Sequence, residues 1–224
     1  MLTPEQLAAL RSVDSPTVAN AIEAFGVRDR TSGYPGSDVR CLFPDLPVTL
    51  GYAVTAVSDS TAAGSPRGRE GVLRLWEAVA ASPKPAVVVL KDVGPEPRRS
   101  CHCGDVMANI ARALGAVALI TDGGVRDLAE VRALGFQFFA AGAVVSHGNF
   151  GIVDVGMPVR ISGVQICPED LIHGDANGFV VIPREIAGQV MDEVARVRER
   201  ESDLIRWVNS PEFSLEGLRK RYGL

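Results

Sequence analysis

The sequence of 224 residues predicts a layered α/β protein, with helices packed on a central sheet. Three observations carry that reading. Between residues 86 and 142, apolar strand-like runs alternate with amphipathic helical stretches, the pattern of buried strands covered by helices. Two glycine-containing turns, "CHCGD" at 101–105 and "TDGGVRD" at 121–127, sit where helices begin. The composition, 46% hydrophobic and 22% charged with 23 Gly and 14 Pro, is that of an ordinary globular chain with many tight turns.

Thr3 before Pro4 and Ser15 before Pro16 each place a capping side chain ahead of a proline, so two N-terminal helices are expected over 4–25. Gly26 stops the second. A polar loop rich in Gly, Pro and Arg is expected from Val27 to Pro47, after which "GYAVTAVSD" (51–59) alternates like a strand. Val72, Leu73, Leu75, Trp76 and Val79 approximate a 3.6-residue period, which predicts a helix over 69–81. Strands at 86–93, 117–121 and 136–142 then alternate with helices near 105–114 and 127–134. Residues 151–183 read as several short strands joined by Gly, Pro and Asn-Gly turns. A helix over about 184–201 and a short final helix complete a C-terminal helical segment, 184–224, of one domain spanning 1–224.

The formal net charge of -4 offers no global positive field for a phosphate backbone, so no nucleic-acid partner is expected. No apolar run approaches the roughly 20 residues that span a bilayer, so no membrane partner is expected either. The N-terminus lacks an apolar signal core, and Cys41, Cys101, Cys103 and Cys167 form no secreted disulfide pattern, which points to a reducing cytoplasm.

Chemistry concentrates in the two turns. In "TDGGVRD", Gly123 and Gly124 let backbone approach a ligand, and Arg126 offers a planar fork to a carboxylate or makes a surface ion pair. Asp127 either holds a cation or caps the helix that starts there. In the other turn, Gly104 and Asp105 open a helix whose first amides, at Val106 and Met107, are placed to receive an anion. Twenty residues lie between Asp105 and Arg126, one helix–strand unit, so the turns can be neighbours at the carboxyl ends of parallel strands. Together they offer a carboxylate for acid/base work, an Arg for a substrate carboxylate and a carboxylate for a metal, a set suited to a 2-oxo acid.

The run "GDVMANIARALGAVALITDGGVRD", with its Asp105-X20-Arg126-Asp127 spacing, resembles the motif of the divalent-metal (class II) 4-hydroxy-4-methyl-2-oxoglutarate aldolases. These share the RraA-like family with the regulator of ribonuclease E activity A. The resemblance extends through "SPTVANAIEAFG", "GYAVTAV", "PKPAVVVLKDVG", "GFQFFAAG" and "VGMPVRISGVQICPEDLIHGDANGFVVIP". It implies an α/β/β/α layered, swivelling-domain-like fold around a central mixed sheet or barrel, assembled as a homotrimer or homohexamer. It implies a substrate-binding set of Gly104, Asp105, Val106, Met107 and Arg126, with Asp105 and Arg126 catalytic, and Asp127 as the ligand of Mg²⁺ or Mn²⁺. The implied reaction is retro-aldol cleavage of a 4-hydroxy-2-oxo acid, of the 4-hydroxy-4-methyl-2-oxoglutarate or 4-carboxy-4-hydroxy-2-oxoadipate type, releasing pyruvate. Oxaloacetate decarboxylation is implied as a side activity. A non-catalytic protein-binding regulator is the alternative that the same family contains. Glu169 stands where the family generally has Gly, and 143–151 departs from its pattern.

The remaining polar residues read more plainly. Adjacent residues of an extended segment point to opposite faces, so Cys101, His102 and Cys103 cannot close one tetrahedral zinc site, and the cysteines are expected as small buried hydrophobes. His147 and His173 are expected at the surface or a pocket rim. Asp175 is expected to satisfy backbone in its turn. Glu130, on the face of Asp127, is either a partner of the metal site or a solvated residue. Among only three lysines, Lys91 at a strand end is the one candidate for rival Schiff-base chemistry. A C-terminal acidic residue from a neighbouring subunit is implied by the family to approach the metal site, with Glu193, Glu199 and Glu201 as candidates.

Overall fold

The computed structural model describes residues 1–61, 64 and 68–224. Its first half runs α1 (Pro4–Arg11), α2 (Ser15–Glu23), β1 (Arg40–Cys41), β2 (Thr49–Ser58), α3 (Arg69–Ala81), β3 (Ala86–Asp92), α4 (Asp105–Ala113) and β4 (Ala116–Thr121). There follow β5 (Gly124–Val125), α5 (Leu128–Ala133), β6 (Gln137–Ala140), β7 (Gly142–Ala143), β8 (Ile152–Val155), β9 (Val159–Ile161) and β10 (Val164–Ile166). The chain ends with β11 (Leu171–Asp175), β12 (Gly178–Ile182), α6 (Val190–Val208) and α7 (Leu215–Arg221).

Eight strands form one mixed sheet in the order β1-β6-β4-β3-β2-β11-β12, with β8 added alongside β2. β6, β4, β3 and β2 are mutually parallel, and the outer pairings are antiparallel. The sheet curls until its ends nearly meet. Val181 of β12 donates its N–H to Gly33 O (2.9 Å), in the loop before β1, and Arg28 of that loop reaches Val181 O (2.7 Å). The mixed sheet therefore takes the barrel-like form.

The two faces of each central strand serve different cores, as the period of two requires. Val54, Val88 and Leu90 face Leu75 and Val79 of α3 and Ala108 of α4. Ala53, Val87 and Val89 face inward, where the β9–β10 hairpin fills the curled sheet with Val159, Ile161, Val164 and Ile166. A third core packs α1, α2 and α6 against β2, β11 and β12, through Leu10, Val18, Ile22, Val190 and Val194. Burial on both faces explains why these strands read as continuous apolar runs.

Three local expectations are corrected. Asp14, not Ser15, caps α2, accepting from Thr17 N, and Ser15 begins the helix instead. The loop over Val27–Pro47 contains β1, whose Arg40 and Cys41 pair with Ala140 and Phe139. The C-terminal helix starts at Val190 rather than 184, because turns fill 184–189, and it runs on to Val208.

Candidate active site

The carboxyl ends of β3, β4 and β6 lie side by side, and the chain leaving each repeats that order in a small second layer. Cys101 bridges Gly124 in parallel, and β5 pairs with β7. His102 N donates to Gly124 O (2.8 Å), Gly124 N to Ser100 O (3.0 Å), and Arg126 N to Cys103 O (3.0 Å). These rungs bring the Gly104–Asp105 turn alongside Arg126–Asp127. The sheet-edge position expected from the 20-residue spacing is thus realised.

Gly104, Asp105, Val106, Met107 and Arg126 line one cavity of about 300 Å³, together with Cys101, Cys103, His147, Gly148 and Phe150. Asp127 stands behind Arg126 and borders an adjoining surface with Leu128, Ala143, Val144 and Val145. Its Oδ2 accepts from Asp105 N (3.0 Å) and pairs with Arg126 Nε (3.4 Å). A Cβ at position 104 would fall 2.4 Å from that oxygen, so glycine is required for the carboxylate to come so close.

Asp127 has φ 55° and ψ 46°, a left-handed conformation, and its side chain makes no capping bond to α5. The capping alternative is therefore replaced by a different role: Asp127 covers the amide that opens α4. Asp105 likewise accepts from Val106 N through its own Oδ1 (2.7 Å). Two of the first amides of α4 are satisfied by carboxylates, which leaves Met107, not Val106, as the amide for an incoming anion. The side chains of Arg126 and Asp127 are 37% and 31% exposed, within reach of solvent-borne ligands.

A divalent cation fits this donor set in one way. Among the described residues no group of three or more His, Cys, Asp and Glu side chains converges as a metal site. Asp127, with Asp105 beside it, offers carboxylate oxygen alone, which suits a hard ion that keeps most of its waters, and not a thiophilic one. The thiols do not compete. Burial pushes Cys103 well above the ordinary thiol value, and pushes Cys101 up as well.

Other candidates fall elsewhere. Glu130 is exposed. Lys91 is ion-paired with Asp122, so its amine is engaged. Glu193 is 8% exposed and paired with Arg196 (2.9 Å) and Arg200 (3.6 Å) of its own helix. His173 is not at the surface: it is fully buried, with Nδ1 against Ser15 Oγ (2.9 Å) and Nε2 against Leu10 O (3.0 Å). Asp175 does serve backbone, accepting from Asn177 N and Ser15 N. Glu169 lies at φ 64°, a conformation that favours glycine, and it borders a different cavity with Tyr52 and Arg184. His147 is on the pocket rim, as expected.

The pocket has features that motif reading did not supply. Phe150, which lines the cavity, comes from a distant, glycine-rich stretch with no periodic signal. Beneath the turns, His102 is fully buried between Asp92 and Thr121. The one hint was position, since Asp92 and Thr121 end two apolar strand runs.

The family described as RraA-like, Aldolase/RraA, matches residues 16–181. A protein of Halalkalibacterium halodurans named "Putative 4-hydroxy-4-methyl-2-oxoglutarate aldolase" is 34% identical over 101 residues, 45% of this chain and 47% of that protein. The chain thus spans about half the length of that relative. A structure described as novel cellulases from microbes associated with the gut ecosystem superimposes with a TM-score of 0.77 at 23% identity, covering 91% of this chain and 88% of that one. Streptomyces coelicolor RraAS2, described as an unusual member of the RNase ES inhibitor RraA protein family, gives a TM-score of 0.69 at 24% identity, over 92% and 97% of the two chains. At such identities the structural likenesses establish the fold alone.

Proposed function

The chain belongs to the RraA-like family, and from that membership we propose that it is a metal-dependent aldolase acting on a 4-hydroxy-2-oxo acid and releasing pyruvate. The observation that supports this most is the convergence of Asp105, Arg126 and Asp127, through the bond from Asp105 N to Asp127 Oδ2, at the edge of one cavity. The similarity to the Halalkalibacterium halodurans protein agrees with it.

In this reading Arg126 takes the substrate's 1-carboxylate in its fork, and the free Met107 amide at the start of α4 adds a second donor. Asp127, with Asp105 beside it, holds Mg²⁺ or Mn²⁺, which when bound supplies Lewis acidity at the 2-oxo group. Asp105 holds a water that removes the proton from the C4 hydroxyl. The C4–O bond becomes a carbonyl as the C3–C4 bond breaks, and that bond's electron pair passes into the 2-oxo group as a pyruvate enolate. A proton returned to C3 completes pyruvate. Oxaloacetate, losing CO₂ instead, reaches the same enolate, so decarboxylation accompanies the cleavage.

We propose further that the active form is a homotrimer or homohexamer in the cytoplasm. Exposed Val106 and Ile110 on the outer side of α4 give a second copy an apolar surface beside the cavity. Glu193, Glu199 and Glu201 are the candidates for an acidic residue from that copy. No helix of the described residues is long and apolar enough to cross a membrane.

The test is pyruvate formation from 4-hydroxy-4-methyl-2-oxoglutarate and from oxaloacetate, each with Mg²⁺, with Mn²⁺ and with a chelator. Metal-dependent pyruvate from the first substrate is the expected result. Pyruvate from oxaloacetate alone keeps the site and changes the substrate. No pyruvate from either, in a folded, metal-supplied sample, overturns the aldolase and favours the protein-binding regulator that the family also contains.

A further inference from the structure

His102 sits behind the cavity without touching it as a lining residue. Its ring is fully buried, with Nε2 2.5 Å from Asp92 Oδ2 and Nδ1 2.5 Å from Thr121 Oγ1. Asp92 closes β3 and Thr121 closes β4, so the ring spans two adjacent parallel strands at their carboxyl ends. Donors and acceptors then fall into one directed chain. In the tautomer that places Nε2–H toward the Asp92 carboxylate, Gly123 N donates to Thr121 Oγ1 (3.1 Å), the Thr121 hydroxyl donates to Nδ1, and Nε2–H donates to Asp92 Oδ2. The other Asp92 oxygen accepts from Gly94 N (2.6 Å). Both ring nitrogens, the Thr121 hydroxyl and both Asp92 oxygens have partners, which is what makes a buried network rigid rather than costly.

The ring also has a shape role. A Cβ on Gly123 would lie 2.0 Å from His102 Cε1, so the 121–124 turn is folded directly over the imidazole. The His102 backbone joins the second layer through Gly124 O, one rung before Cys103 O receives Arg126 N. His102, itself part of the 101–105 turn, therefore grips the 121–127 turn twice, through its side chain and through its backbone.

We propose that His102 is a positioning residue that fixes the spacing between the Gly104–Asp105 turn and the Arg126–Asp127 turn. The kinetic part of this proposal rests on the aldolase reading; the geometric part does not. The ring acts through the seating of the Thr121–Gly124 turn, and thereby holds Asp127 Oδ2 on the Asp105 amide. Displacements of about 1 Å between reacting groups cost on the order of 100-fold in rate, so a loosened turn is visible in turnover before it is visible in folding.

Three variants of the full chain test it. Thr121→Val keeps the side-chain shape and removes the hydroxyl that orders the ring; Thr121→Ser keeps the hydroxyl; His102→Gln keeps a donor toward Asp92 without the ring. The primary readout is hydrogen exchange at the Asp105 amide, which needs no activity. In Thr121→Val and His102→Gln, exchange at Asp105 should quicken by about tenfold or more while core strand amides keep wild-type protection, and Thr121→Ser should match wild type. The secondary readout is kcat for pyruvate formation, expected to fall about tenfold or more with KM within about threefold, and to be restored in Thr121→Ser. Wild-type exchange at Asp105 in Thr121→Val overturns the proposal, and so does a uniform loss of protection across the core, which would make the ring a stability element only. If His102→Gln does not fold, Thr121→Val decides. If wild type forms no pyruvate, the aldolase reading fails and the exchange result stands by itself.

Discussion

Asp127 adopts a left-handed backbone conformation that costs a residue with a side chain about 1 kcal/mol or more, and its carboxylate is spent on the neighbouring turn rather than on its own helix. Strain retained at such a position belongs with function, and Asn, which tolerates the same conformation and keeps an accepting oxygen, separates the two. Asp127→Asn should unfold within about 1 kcal/mol of wild type in a denaturant titration, yet lose metal-dependent pyruvate formation. Arg126→Lys keeps a charge and loses the planar fork, so kcat/KM should drop by about 100-fold, with Arg126→Ala nearly inactive. Gly104→Ala places a methyl where Asp127 Oδ2 lies, and steady-state assay should find it as impaired as the Asp127 variant although no polar group was removed. A wild-type rate in Gly104→Ala would refute the packing argument.

The elements carry these residues by contacts that leave little room. Gly71 on α3 faces β8 so closely that a Cβ would lie 2.2 Å from Ile152 O, a backbone atom that cannot turn aside. Gly71→Ala should therefore destabilise by about 1–3 kcal/mol, read as a lower urea midpoint with an unchanged slope. How much of this was legible follows from the kind of signal each element sends. β3, β4 and α4 were readable to within a residue or two, because burial on two faces or on one stripe writes itself into the apolar pattern. β1, β5 and β7 were not, since two-residue strands have no period and owe their pairing to partners far along the chain. In the site, the Asp105 and Arg126–Asp127 turns were legible from glycine and charge at a strand–helix boundary. The choice between capping and ligand roles for Asp127 was not, because it depends on which helix the carboxylate reaches. His102 was half legible: alternation placed it opposite the two cysteines, but its partners come from two other strands.

For the molecule as a whole, the N-terminal helices are tied to the sheet through one buried imidazole. His173 of β11 bonds Leu10 O at the end of α1 and Ser15 at the start of α2. Burial lowers its pKa from the ordinary 6.5, outweighing the backbone acceptors and Asp175, which act to raise it. The sign follows directly: as pH falls through 6.5 the unfolded chain binds the proton before the folded one, so this stability is present above 6.5 and declines below it. One proton limits the slope to about 1.4 kcal/mol per pH unit. Unfolding midpoints at about pH 7.5 and about pH 5.5, one unit either side of the ordinary value, should show the decline in wild type, and His173→Gln should flatten it. Elsewhere the rim loop is held in a different manner. Ser100 Oγ donates to His147 O, Asn149 N donates to Ser60 O, and Gly148 packs where a Cβ would strike Ser100 and Ser60. Those tethers to the body of the protein engage main-chain atoms of the loop, so the side chains of Val145 and His147 can be exchanged without releasing it. The outline of the cavity mouth is thereby set by main chain, and its surface chemistry by side chains that carry none of the fold.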